Sequence, residues 1–300
     1  LNSGSISSGF GNIDNGSSTI TTTGAITGGS INGLGIKSNI TNFSESMLIS
    51  NDAGTGTLST ATGNTGFGHE VFDDLTSGDN NTAIGHQAGT KLTTGIRNTI
   101  SGGIAGDALT EGGSNVVVGY KALSADTLGT GSVAIGSNAL QDQNFSTATT
   151  TYNVAVGLNA GLDITTGLYN TLIGGNTGDN LTDPNYNTAI GTFALTTDTR
   201  GAKSVAIGGD ALANQNFTTA TDSLNVAVGY TAGKAITTAR GNTLVGSAAG
   251  DALTVGNANV AMGYNSLGGD TKGDRNVAIG YEALLTQNFT TSTDSYNTAV

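Results

Sequence analysis

Apolar and polar positions alternate in a short pattern that recurs along most of the chain. Residues 225–229 show it most clearly and read Asn-Val-Ala-Val-Gly. In a β-strand, successive side chains point to opposite faces, so Val226 and Val228 share one face and Ala227 takes the other. Gly229 has no Cβ and permits a turn directly after the strand. The pattern therefore predicts a short strand followed by a turn, with Val and Ile at the second and fourth positions filling the interior of the fold.

The copies of this motif follow a regular spacing. They begin at residues 64, 81, 98, 115, 132, 153, 170, 187, 204, 225, 242, 259, 276 and 297. The step is seventeen, except that every fourth step is twenty-one, so a higher unit of four motifs spans 81–152, 153–224 and 225–296. The long member always carries Gln-Asn-Phe, and the member two places later always carries Gly-Asp. Two nested periods of this kind are typical of a repeat architecture.

The shorter step fits two short strands and two turns, which is one coil of a parallel β-solenoid. The sequence therefore predicts an all-β protein, a parallel β-solenoid (β-roll) with 17/17/17/21-residue coils over positions 61–300. Coils stack at the strand spacing of about 4.8 Å, so the motif copies predict a rod about 60–65 Å long. The recurring Asn is expected to be a turn residue whose amide bonds to the backbone and to its copy one coil away. Because residues 297–300 end one position before the motif glycine, we expect the repeat to continue beyond residue 300.

Residues 1–60 lack the period and are rich in Ser, Thr and Gly. They contain no apolar stripe at helical spacing, and residues 46–50, Ser-Met-Leu-Ile-Ser, form the best single strand candidate. So little apolar surface does not offset the entropy cost of ordering an independent globule. We therefore expect residues 1–60 to be an irregular, β-rich shaft segment that precedes the roll.

The small residue at the third motif position suggests an oligomer. On the expected arrangement it would form a stripe of alanines on an outer face, and a solvated face has no reason to avoid charged residues so consistently. A closed cyclic assembly about the long axis would supply the burial that a thin solenoid lacks. The candidate contacts of a homotrimer are Ala134, Ala155, Ala189, Ala206, Ala227 and Ala278.

Composition and charge exclude several classes of function. Charged residues make up only 11% of the chain, with 22 acidic against 10 basic side chains. No basic stripe is present to replace the counterions of nucleic acid or to dock on anionic lipid, so neither partner is expected. No apolar run approaches the roughly 18–20 residues that cross a bilayer, so we expect no membrane insertion. The absence of Cys suits an extracellular protein.

The chain contains few residues of the types that catalyse reactions or bind metals. His69 and His86 are its only histidines, and no Ser nucleophile stands in an elbow context. Carboxylates that recur once in every higher unit fit turn caps better than metal ligands; they are Asp107, Asp179 and Asp251 in one series and Asp126, Asp198 and Asp270 in another. We expect no enzyme activity, no metal site and no cofactor.

Aromatic residues are the candidates for surface or glycan contact. Tyrosines follow the motif glycine in several coils and would line one edge of the rod, where they could stack on sugar faces or cover the coil turn; they are Tyr120, Tyr230, Tyr264 and Tyr281. A phenylalanine lies in each long coil, where it is either exposed on a bulge or folded back to cover it, and the second arrangement is favoured because exposed rings promote aggregation. These are Phe145, Phe217 and Phe289.

The motif resembles a known family. Residues 204–211, Ser-Val-Ala-Ile-Gly-Gly-Asp-Ala, are similar to the head repeat of trimeric autotransporter adhesins of the YadA type. The resemblance implies left-handed parallel β-rolls, three chains to a trimer. The Asn-Thr-Ala-Ile-Gly wording at this spacing looks closer still to repeats of bacteriophage tail fibres, and residues 9–26 resemble tail-fibre shaft sequence. Adhesin heads usually have a shorter repeat, and their coiled-coil stalk and membrane anchor have no counterpart here.

The resulting expectation is a structural fibre protein. It is a segment of a phage tail fibre in the virion, outside the cell, that presents or forms an element for attachment to a bacterial surface receptor, either glycan or protein. The alternative is the head of a bacterial trimeric adhesin on the cell surface that binds host matrix or glycans. A third class, a fibre-borne glycan hydrolase, would need paired carboxylates in a groove, and the sequence shows none. The residues that follow position 300 would distinguish the first two.

Overall fold

The computed structural model describes residues 35–50 and 55–300. Within these ranges the chain is all β-strand and turn, and the expected parallel β-solenoid is confirmed. The expected shaft lies mostly in residues 1–34, outside the described residues. The first two strands, β1 (Gly35–Ile40) and β2 (Phe43–Ser50), form an antiparallel hairpin.

One long sheet runs the length of the roll. Its further strands are β3 (Ala61–Thr62), β4 (Thr65–Phe67), β5 (Thr82–Ile84), β6 (Thr99–Ser101), β7 (Val116–Val118), β9 (Val133–Ile135), β11 (Val154–Val156), β12 (Thr171–Ile173), β13 (Thr188–Ile190), β15 (Val205–Ile207), β17 (Val226–Val228), β18 (Thr243–Val245), β19 (Val260–Met262), β21 (Val277–Ile279) and β23 (Thr298–Ala299). From β4 onward each strand pairs in parallel with the strand of the next coil, and identical motif positions lie opposite each other, as in Val133↔Val154 and Val154↔Thr171. The register holds across both the shorter and the longer steps of the repeat.

The roll begins earlier than the sequence period. Strand β2 pairs in parallel with β4 through Met47↔Thr65, so the hairpin supplies the first layer of the main sheet. Leu48 is buried there, and a Cβ on Gly66 would lie 2.7 Å from its Cδ1. Gly66 occupies the third motif position because Leu48 fills that part of the core from the layer below.

A second strand in every coil was expected, and this expectation is wrong for the described coils. A second sheet exists only as three two-stranded patches at the long coils; their strands are β8 (Gly129–Thr130), β10 (Thr149–Thr150), β14 (Gly201–Ala202), β16 (Thr221–Asp222), β20 (Gly273–Asp274) and β22 (Thr293–Asp294). After each main strand, alternate residues have positive φ, as at Gly136, Asn138 and Leu140, and this conformation does not extend a strand. The turns still bond from coil to coil, for example from the Asn138 N–H to the Tyr120 carbonyl at 2.9 Å.

The face assignment from the sequence is also wrong. The alanine at the third motif position lies inside the coil, and the Val and Ile on either side of it point outward. The six alanines proposed as trimer contacts have no exposed surface: Ala134, Ala155, Ala189, Ala206, Ala227 and Ala278. When both faces of a three-residue strand are apolar, its sequence does not specify which face is buried. The interior of so short a coil is narrow, so the face with the smaller side chain is the buried one.

Large and small side chains compensate for each other at two core positions of the repeat. Each of these positions forms a column when it is followed from coil to coil. Where the third motif position is Leu or Ile, as at Leu172, the position six places later is glycine, here Gly178. A Cβ on Gly178 would lie 3.0 Å from Leu172 Cδ2, and one on Gly161 of the preceding coil would lie 2.8 Å from Leu172 Cδ1. Where the third position is alanine, the later position is leucine in most coils, as at Ala206 and Leu212, and glycine where the next coil has Leu or Ile at its third position, as at Ala155 and Gly161. This exchange of large and small residues keeps the core filled and explains the Gly-Asp that recurs once in every higher unit.

The recurring asparagine bonds as the sequence predicted. Asn81 is fully buried, its backbone N–H donates to Asn64 Oδ1 at 2.9 Å, and its Nδ2 donates to the Gly95 carbonyl at 2.9 Å. The same three-way bonding recurs at Asn98 and Asn259. Each Asn thus closes its own coil and links it to the preceding one.

Candidate functional site

The outward residues of the main sheet form a continuous strip that is uncharged and mostly apolar. We call it the outer strip; it consists of the first and third residues of the main-sheet strands from β4 to β21. All of these are Val, Ile, Thr, Phe, Met or Ser, and none carries a charge. Several remain well exposed in the single chain, including Phe67, Ile84, Val118, Ile173, Met262 and Ile279. Charged residues are therefore absent from the outward positions of these strands as well as from the alanine positions between them.

The tyrosines that follow the motif glycine lie at one edge of the outer strip and are exposed: Tyr120, Tyr230, Tyr264 and Tyr281. Tyr264 and Tyr281 stack with ring centroids 5.5 Å apart. The other two rings cover turns, since a Cβ on Gly103 would lie 3.6 Å from Tyr120 and one on Gly209 would lie 3.4 Å from Tyr230. The arrangement in which the ring covers the turn is thus present in this column, and contact with sugars stays a prediction.

A second tyrosine ladder was not predicted. Tyr152, Tyr169 and Tyr186 each precede the motif asparagine in three successive coils. Their ring centroids lie 5.9 Å and 4.8 Å apart, and all three rings are exposed. This ladder lies before the first residues of β11, β12 and β13, whereas the other tyrosines follow the last residues of their strands. The signal was available, because the three residues are spaced by one repeat step.

Two of the three phenylalanines of the long coils are buried and are therefore not available as surface contacts. Phe145 and Phe217 are each only 6% exposed, so the arrangement in which Phe folds back over the bulge is confirmed for them. The Thr residues that follow remake a short strand, as predicted. Phe289 is half-buried, in the last long coil described.

At each long coil, polar side chains form a hydrogen-bonded cluster inside the roll, which we call a polar node. In the first, Gln143 Nε2 donates to Asp126 Oδ2 at 2.6 Å and to Ser132 Oγ at 2.9 Å, while its Oε1 accepts from Asn153 Nδ2 at 2.9 Å. Asp126 Oδ1 also accepts the N–H of Gly129 at 3.0 Å. Burial raises the pKa of the Asp126 carboxyl, and its hydrogen bonds oppose that rise. Asp198 and Asp270 bond in the same way to Gln215 and Gln287.

These nodes confirm the prediction that the Asp126 series caps turns. The carboxylates accept backbone N–H groups and a glutamine amide, and no hydrogen bond within the described residues joins them to the Asp107 series. Burial raises the pKa of the carboxyl groups of Asp107 and Asp251.

The stacking of coils brings the two histidines together. His69 and His86 occupy the same position in adjacent coils, with ring centroids 5.2 Å apart and planes 11° from parallel. Glu70 lies beside them, its Oε1 3.6 Å from His69 Nδ1. Within residues 35–50 and 55–300, these three side chains form the one group of three or more His, Cys, Asp or Glu residues whose ligand atoms converge, all within 4.8 Å. The sequence analysis did not predict this pairing, although the two histidines are spaced by one repeat step.

No protein-family model matches this chain, and no curated protein is significantly similar to it. Across the described ranges, no helix has the length and apolarity needed to cross a bilayer.

Proposed function

We propose that this chain is a segment of a homotrimeric fibre whose task is attachment to a cell surface. It belongs to a phage tail fibre outside the cell and holds or forms the element that meets a bacterial receptor. The head of a bacterial trimeric adhesin is the alternative owner of the same architecture. No chemistry of its own is required for this role.

The observation that carries the proposal is the outer strip. Uncharged and mostly apolar side chains line the whole length of one face, and several of the apolar ones are more than one-third exposed in the single chain, such as Ile84 at 45% and Met262 at 41%. A monomer rarely leaves so long an apolar surface in water, and such surfaces mark sites of association.

A second copy of the chain is the partner that matches this strip. Its side chains recur at the rise of one strand per coil, about 4.8 Å, and only a partner with the same rise can pack against them in register over the full length. A strip about 60 Å long and three residues wide offers roughly 600 Å² per chain, close to the roughly 800 Å² that each partner buries in a standard interface. The resemblance to adhesin heads and tail fibres favours three chains over two.

The mass in solution tests the assembly. Light scattering coupled to size exclusion should give about three times the 29.6 kDa of one chain. A monomer at micromolar concentration would overturn the proposal, and a dimer would overturn its stoichiometry.

Paired variants of one strand locate the interface. Val205 and Ile207 face outward in β15, and Ala206 between them faces inward. The double variant Val205→Glu/Ile207→Glu should keep the β-sheet circular dichroism of the roll and dissociate the trimer, because the charges would be desolvated between chains. Ala206→Glu should instead disrupt the coil itself. If the outward variant stays trimeric, the interface lies elsewhere.

The tyrosine ladders are the proposed contact surface for glycans. Three exposed rings in a row, Tyr152, Tyr169 and Tyr186, offer flat apolar faces with hydroxyl groups at their edges, which suits stacking on sugar rings. Replacing all three with Ala should weaken binding to host cells or to purified surface polysaccharide while the trimer persists. Unchanged adhesion would show that the ladder only covers the turns.

A further inference from the structure

We propose that His69, Glu70 and His86 bind one divalent transition-metal ion, and that this ion links two adjacent coils near the first end of the roll. The proposal goes beyond the fibre role and does not depend on it.

The geometry brings nitrogen and oxygen ligands to one point. His69 Nδ1 and Glu70 Oε1 are 3.6 Å apart, and the ligand atom of His86 lies within 4.8 Å of both. Zinc binds His nitrogen and carboxylate oxygen at about 2.0–2.2 Å, so two of its tetrahedral ligands are separated by about 3.3–3.6 Å. The Glu70–His69 pair already has this separation. The His86 ring is stacked on His69 with planes 11° from parallel, so it must turn out of the stack for its nitrogen to reach the same ion, because a metal lies in the plane of each imidazole it binds.

One of these atoms has no other partner. His69 Nδ1 is buried and makes no hydrogen bond within the described part of the chain. Leaving a buried polar nitrogen unbonded costs free energy, and a metal ion would use the nitrogen lone pair.

The surroundings hold the ligands in place. Glu70 Oε2 accepts a hydrogen bond from Gln87 Nε2 at 2.5 Å, which leaves Oε1 as the oxygen nearest His69 Nδ1. The Gln87 backbone N–H donates to the His69 carbonyl at 2.8 Å, so the two coils are joined directly beside the cluster. Outer-shell bonds of this kind orient metal ligands in known sites.

The ligand set indicates the class of metal. Two imidazoles and one carboxylate suit zinc, nickel or copper better than calcium or magnesium, which prefer all-oxygen sites. The chain carries a net charge of −12, which favours a cation over an anion. Three ligands converge from the described part of the chain, which leaves a fourth position for water or for a group from a receptor.

The repeat provides a matched control variant. The position of His69 and His86 holds tyrosine in four other coils, and Tyr264 and Tyr281 stack there with nearly parallel rings. The double variant His69→Tyr/His86→Tyr should therefore keep the roll folded while it removes both imidazoles.

Titration calorimetry with zinc chloride on the chelator-treated full chain tests the site. We expect one zinc ion per chain, loss of this binding in the His69→Tyr/His86→Tyr variant, and about a 10–100-fold weaker affinity in Gln87→Ala. Glu111→Gln, which changes an exposed carboxylate in another coil, should bind zinc as the parent does. Zinc should also slow hydrogen exchange in residues 64–97 of the parent chain only. No stoichiometric binding by the parent, or equal binding by the histidine variant, would overturn the proposal.

Discussion

Asp126 and Gln143 lie in adjacent coils at the same position of the repeat and are joined by a 2.6 Å hydrogen bond inside the roll. In the preceding coils this position holds the buried leucines Leu92 and Leu109. The core column therefore changes from apolar to polar where the chain inserts the extra residues of the long coil. The buried Asp accepts the backbone N–H of Gly129 in its own coil and that of Phe145 in the long coil.

Replacing Gln143 with Leu should destabilise the long coil. Asp126 Oδ2 and Ser132 Oγ would lose a buried donor, and Asn153 Nδ2 would lose an acceptor. A buried polar group left unsatisfied costs about 1–3 kcal/mol, so the free energy of unfolding should fall by about 2–5 kcal/mol. Denaturant unfolding measures this loss. Gln141→Leu in the same coil is the control and should cost little, because the Gln141 side chain donates at the surface to its neighbour Asp142 and its backbone bond is kept; equal losses would contradict the account.

The motif glycines are required by contact between coils. Gly157 has φ of 141°, and a Cβ there would lie 2.3 Å from the Gly174 carbonyl oxygen. Gly157→Ala should therefore cost about 2–6 kcal/mol from backbone strain and overpacking together. Gly175 lies one coil on, with nothing within 4 Å of an added Cβ. Gly175→Ala should stay within about 0.5 kcal/mol of the parent in the same denaturation experiment, and similar costs for the two variants would show that the coils are not in this close contact.

Phe217 should contribute to stability rather than to binding. Its ring is buried, while Phe193, one coil before, is 45% exposed. Phe217→Ala should cost about 3 kcal/mol and speed hydrogen exchange over residues 212–225. Phe193→Ala should cost far less. Loss of adhesion without a change in exchange would place the Phe217 ring on the outside of the bulge.

The roll should tolerate acid. Burial raises the pKa of the carboxyl groups of Asp107, Asp126, Asp163 and Asp251 above the ordinary 3.8. A raised pKa in the folded state means that the folded chain binds these protons more readily than the unfolded chain, so their contribution to stability increases as the pH falls through the folded pKa towards 3.8. The melting temperature at constant ionic strength should therefore be no lower at pH 4.5 than at pH 7.

The double variant Asp107→Asn/Asp251→Asn isolates that effect. It removes two of the raised carboxyls, so the change in melting temperature between pH 7 and pH 4.5 should become smaller. A steep fall in the melting temperature of the parent between pH 7 and pH 5 would contradict the assignment.

The sequence by itself determined the period, the fold class and the bonding of the recurrent asparagine. The shorter and longer steps of the repeat correspond to the register of the main sheet, as Val133↔Val154 and Val154↔Thr171 show. These features follow from local chemistry, since Asn, Gly and alternating apolar residues specify turns and strands wherever they occur.

Only the tertiary structure decided which face of the strand is the interior. Alternation in Val205–Ile207 separates two faces but does not orient them, because both are apolar; the width of the coil and the leucines that enter it from the turn place Ala206 inside. It likewise brought together residues distant in sequence, as in the pairing of His69 with His86 and of Asp126 with Gln143. The contacts between coils depend on which residues the stacking places next to each other. The sequence of a single motif copy does not specify which side chains lie in the coils on either side of it.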